Sequence, residues 1–181
     1  MLHFDIDFRQ LTAAGQELNA TPKQVQLALS RALSRTASAL RTMSARGLKS
    51  ELELRRVGAL RKRLKSIKLR SNVDGVQLWY GLNDMPVSWF KGAPKETTEG
   101  ATFRGQEFPG AFVARSSYAR TKTIMKRKGK ARLHIEEQLL PVEDKAAVFI
   151  EDNIFDKLES IFWPIFMLDL QARVKHRIGA S

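Results

Sequence analysis

Apolar and polar positions alternate in different periods along the chain, and the changes of period mark its elements. Phe4, Ile6 and Phe8 alternate with His3, Asp5 and Asp7, a period of two that suits a short strand, while Leu11 and Leu18 also suit a following helix. Thr21-Pro22 is a helix start. A threonine oxygen can take an orphan amide, and proline at the first helical position has no donor to lose. From Val25 the spacing becomes three and four, through Leu29, Ala32, Leu33, Thr36, Ala37, Leu40 and Met43 toward Leu48. That stripe predicts one long amphipathic helix, ended or weakened at Gly47. Val57, Leu60 and Leu64 repeat the spacing on a very basic segment and predict a second, shorter helix, so residues 21–64 read as helical.

The pattern changes over residues 65–138, where glycine and proline punctuate short runs rich in Val, Thr, Phe and Tyr. This is how antiparallel strands and their loops read. The candidate strands are Ser66–Arg70, Val76–Leu82, Gly110–Ser116, Thr121–Arg127 and Ala131–Gln138. Lys128-Gly129-Lys130 sits between the last two as a turn signal, which predicts a hairpin with a basic tip. Residues 83–109 read as a long loop. Pro141 opens a C-terminal helix over 141–178, whose apolar face runs from Val148 to Ile178, with a kink expected at Pro164 and a stop at Gly179. The expected fold is α+β: an antiparallel sheet with a basic hairpin, packed against N-terminal helices and a long C-terminal helix. With 181 residues, one domain over 1–181 is the natural organisation.

Composition narrows the functional classes. Lys and Arg number 31 against 19 Asp and Glu, a formal charge of +12, which favours polyanionic surroundings. The charge is also segregated. Arg41–Arg70 holds eleven basic residues against Glu51 and Glu53, and Arg115–Arg132 holds eight with no acid, whereas Glu136–Asp169 holds nine acids against Lys145 and Lys157. Opposite tracts on one small chain suit head-to-tail contacts between copies, as in a ring. A basic helix is often only a solvated face, so the protruding hairpin is the better candidate for phosphate contact, through Lys126, Arg127, Lys128, Lys130 and Arg132. There is no cysteine, hence no disulfide framework or thiolate chemistry. The longest nearly unbroken apolar run, Ile161–Leu168, contains Pro164 and falls far short of the roughly 20 residues that cross a bilayer. Asp5 and Asp7 stand where an export signal would be basic and then apolar, so neither a membrane partner nor export is expected.

Catalytic signatures are missing from the sequence. His3, His134 and His176 form no paired-histidine metal motif, and only His134 has carboxylates nearby, at Glu136 and Glu137. On a strand His134 and Glu136 would share a face, but two ligands rarely make a site. Gly47-Leu48-Lys49-Ser50 lacks the spacing of a phosphate loop, and no nucleophile elbow or dinucleotide turn occurs. The expectation is a non-enzyme with no cofactor and no metal. Trp79 and Tyr80 are adjacent, so on a strand they point to opposite faces; only one can enter a single-sided core, and the other must meet a helix, a partner or water. Trp89, Phe90, Phe103 and Phe108 lie in or beside the 83–109 stretch, too aromatic for a free linker, and are expected to form a subunit or partner interface.

Ala28-Leu29-Ser30-Arg31-Ala32-Leu33-Ser34-Arg35-Thr36, Val76-Gln77-Leu78-Trp79-Tyr80-Gly81-Leu82-Asn83, Phe103-Arg104-Gly105 through Gly110-Ala111-Phe112, and Arg132-Leu133-His134-Ile135-Glu136-Glu137 followed by Leu140-Pro141-Val142-Glu143 stand out as a set. Together these segments resemble the minor tail protein Z family of lambda-like phages and prophages. The resemblance covers nearly the whole chain and rests on order and spacing. It implies a structural virion component of a long-tailed phage, located in the virion tail and in the host cytoplasm during assembly. Tail completion and head-tail joining around the DNA channel would be its task. Its implied partners are further copies of itself in a ring, tail-tube or tail-terminator and head-connector proteins, and duplex DNA by non-specific contact. The alternative is a free, sequence-independent DNA- or RNA-binding protein; the acidic C-terminal region and the lack of a reader motif weigh against it.

Overall fold

The computed structural model describes residues 8–69, 75–116, 120–129 and 134–180. In chain order the elements are α1 (Phe8–Glu17), α2 (Pro22–Glu51), α3 (Gly58–Arg61), β1 (Leu64–Leu69), β2 (Gly75–Tyr80) and β3 (Met85–Pro86). There follow β4 (Lys95–Thr97), β5 (Gly100–Phe103), β6 (Gln106–Pro109), β7 (Ala111–Arg115), β8 (Lys122–Arg127), β9 (Ile135–Glu137) and β10 (Leu139–Leu140). The chain closes with α4 (Glu143–Asn153) and α5 (Leu158–Lys175). The class is α+β, but among the described residues the strands form four small antiparallel sheets in place of the single one expected: β1-β2, β10-β3, β4-β5-β6 and β7-β8-β9. Glycine and proline interrupt the strands too often for a wide sheet to build. The Phe4–Phe8 alternation falls mostly on residues 1–7, outside those described, and Phe8 opens α1.

Two compact units divide the chain. The first comprises Met1–Ala45, Arg61–Gly81 and Ile150–Ser181; the second comprises Arg46–Leu60 and Leu82–Phe149.

In the first unit, Leu11 and Ala14 of α1, Ala28, Leu29, Ala32 and Leu33 of α2, and Phe162, Phe166 and Leu170 of α5 form one buried cluster. Alanines at i and i+4 on α2 leave a shallow surface that admits the large α5 rings. Phe162 and Phe166 stack with centroids 5.8 Å apart, and Trp163 meets them edge-on at 5.3 and 5.8 Å. Pro164 lies inside α5 and does not break it; the interruption falls instead at Ile154–Lys157, between α4 and α5. Ser160 and Pro164 are both exposed, so water can serve the carbonyl that proline leaves without its helical donor.

The start of α2 and the end of α5 share one side chain. Thr21 Oγ1 accepts from the Gln24 amide at 3.3 Å, and the Thr21 amide donates to Gln24 Oε1 at 3.0 Å, a reciprocal cap. Gln24 Nε2 then donates to the carbonyls of Arg173 at 3.1 Å and Ile178 at 3.4 Å. A single buried amide thus serves orphan groups at both helix ends. Gln24→Glu keeps the acceptor but turns carboxylate oxygens toward two carbonyls. It is expected to cost about 2 kcal/mol, read as a lowered urea midpoint, with Gln24→Ala closer to wild type than Gln24→Glu. Nearby, Asp169 accepts from Arg31 at 3.0 Å and from Arg173 at 2.6 Å, so its buried carboxylate is paired from two elements.

Gly47 does not end α2. A Cβ there would fall 2.3 Å from Cζ of Phe149, so the glycine lets that ring lie against the helix. The helix stops four residues later. Glu53 adopts a left-handed conformation (φ 50°), and the amides of Glu53 and Leu54 bond the carbonyls of Ser50 and Lys49 at 3.0 and 2.8 Å. The shorter basic helix expected next is a single turn, α3.

The 83–109 stretch is not a loop. It contains β3, the Val87–Trp89 3₁₀ turn and the β4-β5-β6 meander, with Phe103 paired to Gln106 across a two-residue hairpin. Arg104 (φ 53°) and Gly105 (φ 82°) both have positive φ, as the tight hairpin turn that matches strand twist requires.

Candidate nucleic-acid interface

The expected basic hairpin exists. β8 and β9 pair antiparallel, with Arg127 opposite Ile135, Lys126 opposite Glu136 and Met125 opposite Glu137. The Lys128 amide donates to the His134 carbonyl at 2.9 Å, closing the ladder. Lys126, Arg127 and Lys128 are exposed; Lys130 and Arg132 lie outside the described residues. This end of the sheet carries acid as well as base. Lys128 Nζ pairs with Glu136 Oε1 at 3.0 Å, and Lys126 faces the same glutamate across the ladder. Both partners of the Lys128 pair are largely exposed, so the pair adds little stability, yet it reduces the positive charge available there.

Glu137 has a different role. Its Oε1 accepts from the Ser88 amide at 3.0 Å and from the Thr123 hydroxyl, which ties the Val87–Trp89 turn to β8. On a regular strand His134 and Glu136, not Glu137, would share a face. The structure gives His134 a left-handed backbone (φ 72°) ahead of β9, so strand alternation does not run from His134 to Glu136, and Glu136 is bonded to Lys128. Among the described residues no group of three His, Asp or Glu side chains is placed to hold a metal ion.

The aromatic set expected at an interface is mostly internal. Phe90, Phe103 and Phe108 are buried in the second unit, because the meander folds its own strands over them; Trp89 is half-buried. Phe90 and Phe103 lie 6.4 Å apart. The Arg104 guanidinium sits over both rings at 5.2 and 5.4 Å, and donates to the carbonyls of Leu52 and Lys91, each at 3.1 Å, and to the Glu53 carboxylate. Arg104 therefore joins the end of α2 to the meander. Its place in the sequence, between a core phenylalanine and a turn glycine, was the available signal for it.

Trp79 and Tyr80 divide as strand geometry requires. The Tyr80 hydroxyl lies 3.0 Å from Ser44 Oγ, and burial pushes its phenol above the usual 10, with the Ser44 bond opposing the shift. Trp79 is 43% exposed, with Lys65 Nζ 5.7 Å from its ring centroid. Gly81 makes room for that indole: a Cβ there would fall 2.5 Å from Cη2 of Trp79. An exposed aromatic ring beside a lysine is the pairing that stacks on a nucleobase and meets its phosphate.

No family model, no curated protein and no solved structure matches the chain. Among the described residues no helix is long and apolar enough to cross a membrane.

Proposed function

We propose that this chain is a structural protein of a long-tailed phage or prophage virion, acting in tail completion and head-tail joining around the DNA channel. The observation that carries the reading is the placement of the segments that resemble the minor tail protein Z family. Ala28–Thr36 lies within α2, Val76–Tyr80 within β2, Phe103–Gly105 at the meander turn, Ala111-Phe112 in β7 and Ile135–Glu137 in β9. The order of helix, antiparallel strands and C-terminal helix is the layout that this resemblance implies. The opposed charge tracts supply complementary contacts between copies, and exposed Lys126, Arg127 and Lys128 supply non-specific phosphate contact. Its neighbours in this reading are further copies of itself, tail-tube or tail-terminator proteins and head-connector proteins.

Deleting the gene from its phage or prophage, inducing, and viewing the lysate by electron microscopy alongside infectivity tests the reading. Separate heads and tails, or joined but non-infectious particles, are expected, with rescue in trans. Normal infectious particles would overturn it. A free nucleic-acid-binding protein is the second reading, favoured by the exposed Trp79 and Lys65 pair. Tight binding of DNA or RNA by the isolated chain together with normal particles would establish that reading in place of the first.

A further inference from the structure

The β7-β8-β9 sheet treats its charges differently at its two ends. At the β9 end, Glu136 stands across from Lys126 and binds Lys128. At the other end, Arg115 and Lys122 are direct cross-strand partners, both exposed. Side chains so paired leave the sheet on the same face, with Cβ atoms about 5 Å apart, and like charges in that position repel. Exposed Arg120 adds a third cation. Its left-handed backbone (φ 53°) is fixed by its own amide bonding Ser116 O at 3.0 Å and by the Ser116 amide bonding Thr121 O at 2.9 Å. None of the three is salt-bridged to a described residue, and Ser117, Tyr118 and Ala119 between them bring no charge. Two cations paired across the strands and a third nearby in the chain, none of them salt-bridged among the described residues, form a surface that lacks its counter-charge there.

The geometry points to the Arg115, Arg120 and Lys122 end of this sheet as the surface that takes the phosphodiester backbone of duplex DNA. The inference deepens the DNA contact in the reading above and moves its centre away from the Lys128 tip. A strand of duplex offers one negative charge per 3.4 Å of rise, and long arginine and lysine side chains on adjacent strands can meet successive phosphates without base contacts. Binding of this kind is independent of sequence and steeply dependent on salt.

The test compares two double variants of the full chain, Arg115→Gln/Lys122→Gln and Lys126→Gln/Lys128→Gln, binding a random-sequence duplex over a salt series. Each neutralises two cations. Losing two phosphate contacts is expected to flatten the slope of log affinity against log salt by about 2, a fall of about 50-fold at 0.1 M salt, for the first variant. The second is expected to change the slope by less than about 1, since Glu136 already offsets its lysines. Equal losses, a larger loss in the second variant, or no binding by the wild-type chain at low salt would overturn the assignment. The thermal midpoint of the first variant should hold or rise as the repulsion is removed; a fall would remove the premise. Poly-glutamate competing as well as DNA at equal charge would identify an acidic protein surface as the occupant and overturn the phosphate assignment. Deletion of the gene without effect on particles, with this binding intact, would retire the virion reading and leave this inference standing.

Discussion

Phe166→Ala is expected to destabilise the first unit by about 4 kcal/mol, the largest effect of any single truncation considered for this chain. The ring is fully buried, stacks on Phe162, meets Trp163 edge-on, and belongs to the cluster that holds α5 against α1 and α2. Truncation removes its transfer free energy and leaves a cavity walled by helices that cannot close on it, because Ala28 and Ala32 present no side chain long enough to fill the space. Urea unfolding followed by tryptophan fluorescence reads the loss, since Trp163 borders the cavity. Phe166→Leu, which retains most of the volume, should recover more than half of it. A cost near 1 kcal/mol for the alanine variant would mean that α5 does not depend on this cluster.

Arg104→Ala should lower the stability of the second unit by about 3 kcal/mol. One guanidinium serves two backbone carbonyls and a carboxylate while covering two buried rings, and its removal leaves the Leu52 carbonyl at the end of α2 without that donor. Lysine cannot reproduce the fork, so Arg104→Lys is expected to remain more than 1 kcal/mol below wild type. The backbone contribution separates cleanly. Arg104→Gly loses the same side chain but relieves the positive φ, and should be more stable than the alanine variant by about 1 kcal/mol. Calorimetry of the four proteins orders them; alanine and glycine variants equal to wild type would show the arginine contacts to be without weight.

The elements with many periodic positions were legible in the sequence, and those defined by two or three residues were not. The stripe from Val25 to Leu48 specifies α2 because nine side chains repeat the same spacing, and β7 and β8 lie within a residue of their expected bounds. The meander was missed because β4, β5 and β6 have only three or four residues each, too few to display alternation, and because an arginine stands where asparagine would announce the turn. Gly47 read as a stop since glycine disfavours helix; what it accommodates, the ring of Phe149, is about a hundred residues away and sends no local signal. Gln24 was available three residues after Thr21 as the second half of a reciprocal cap. The aromatic residues of 83–109 carried a real signal of burial. Composition could not say whether a partner or the chain itself would provide it, and the hairpin turn at Arg104-Gly105 decides for the chain.

α2 contributes residues to both units, and the first unit is completed only by Ile150–Ser181. That arrangement imposes an order on synthesis. As the chain leaves the ribosome, Arg46–Leu60 and Leu82–Phe149 are all present before Phe162, Phe166 and Leu170 exist, so the second unit can close while the first still exposes Leu11, Ala28, Leu29 and Leu33 to water. The nascent protein therefore displays a folded meander and, separately, an apolar helix face awaiting its last segment. During that interval the cytosol, and any chaperone in it, meets a surface that the finished molecule never shows.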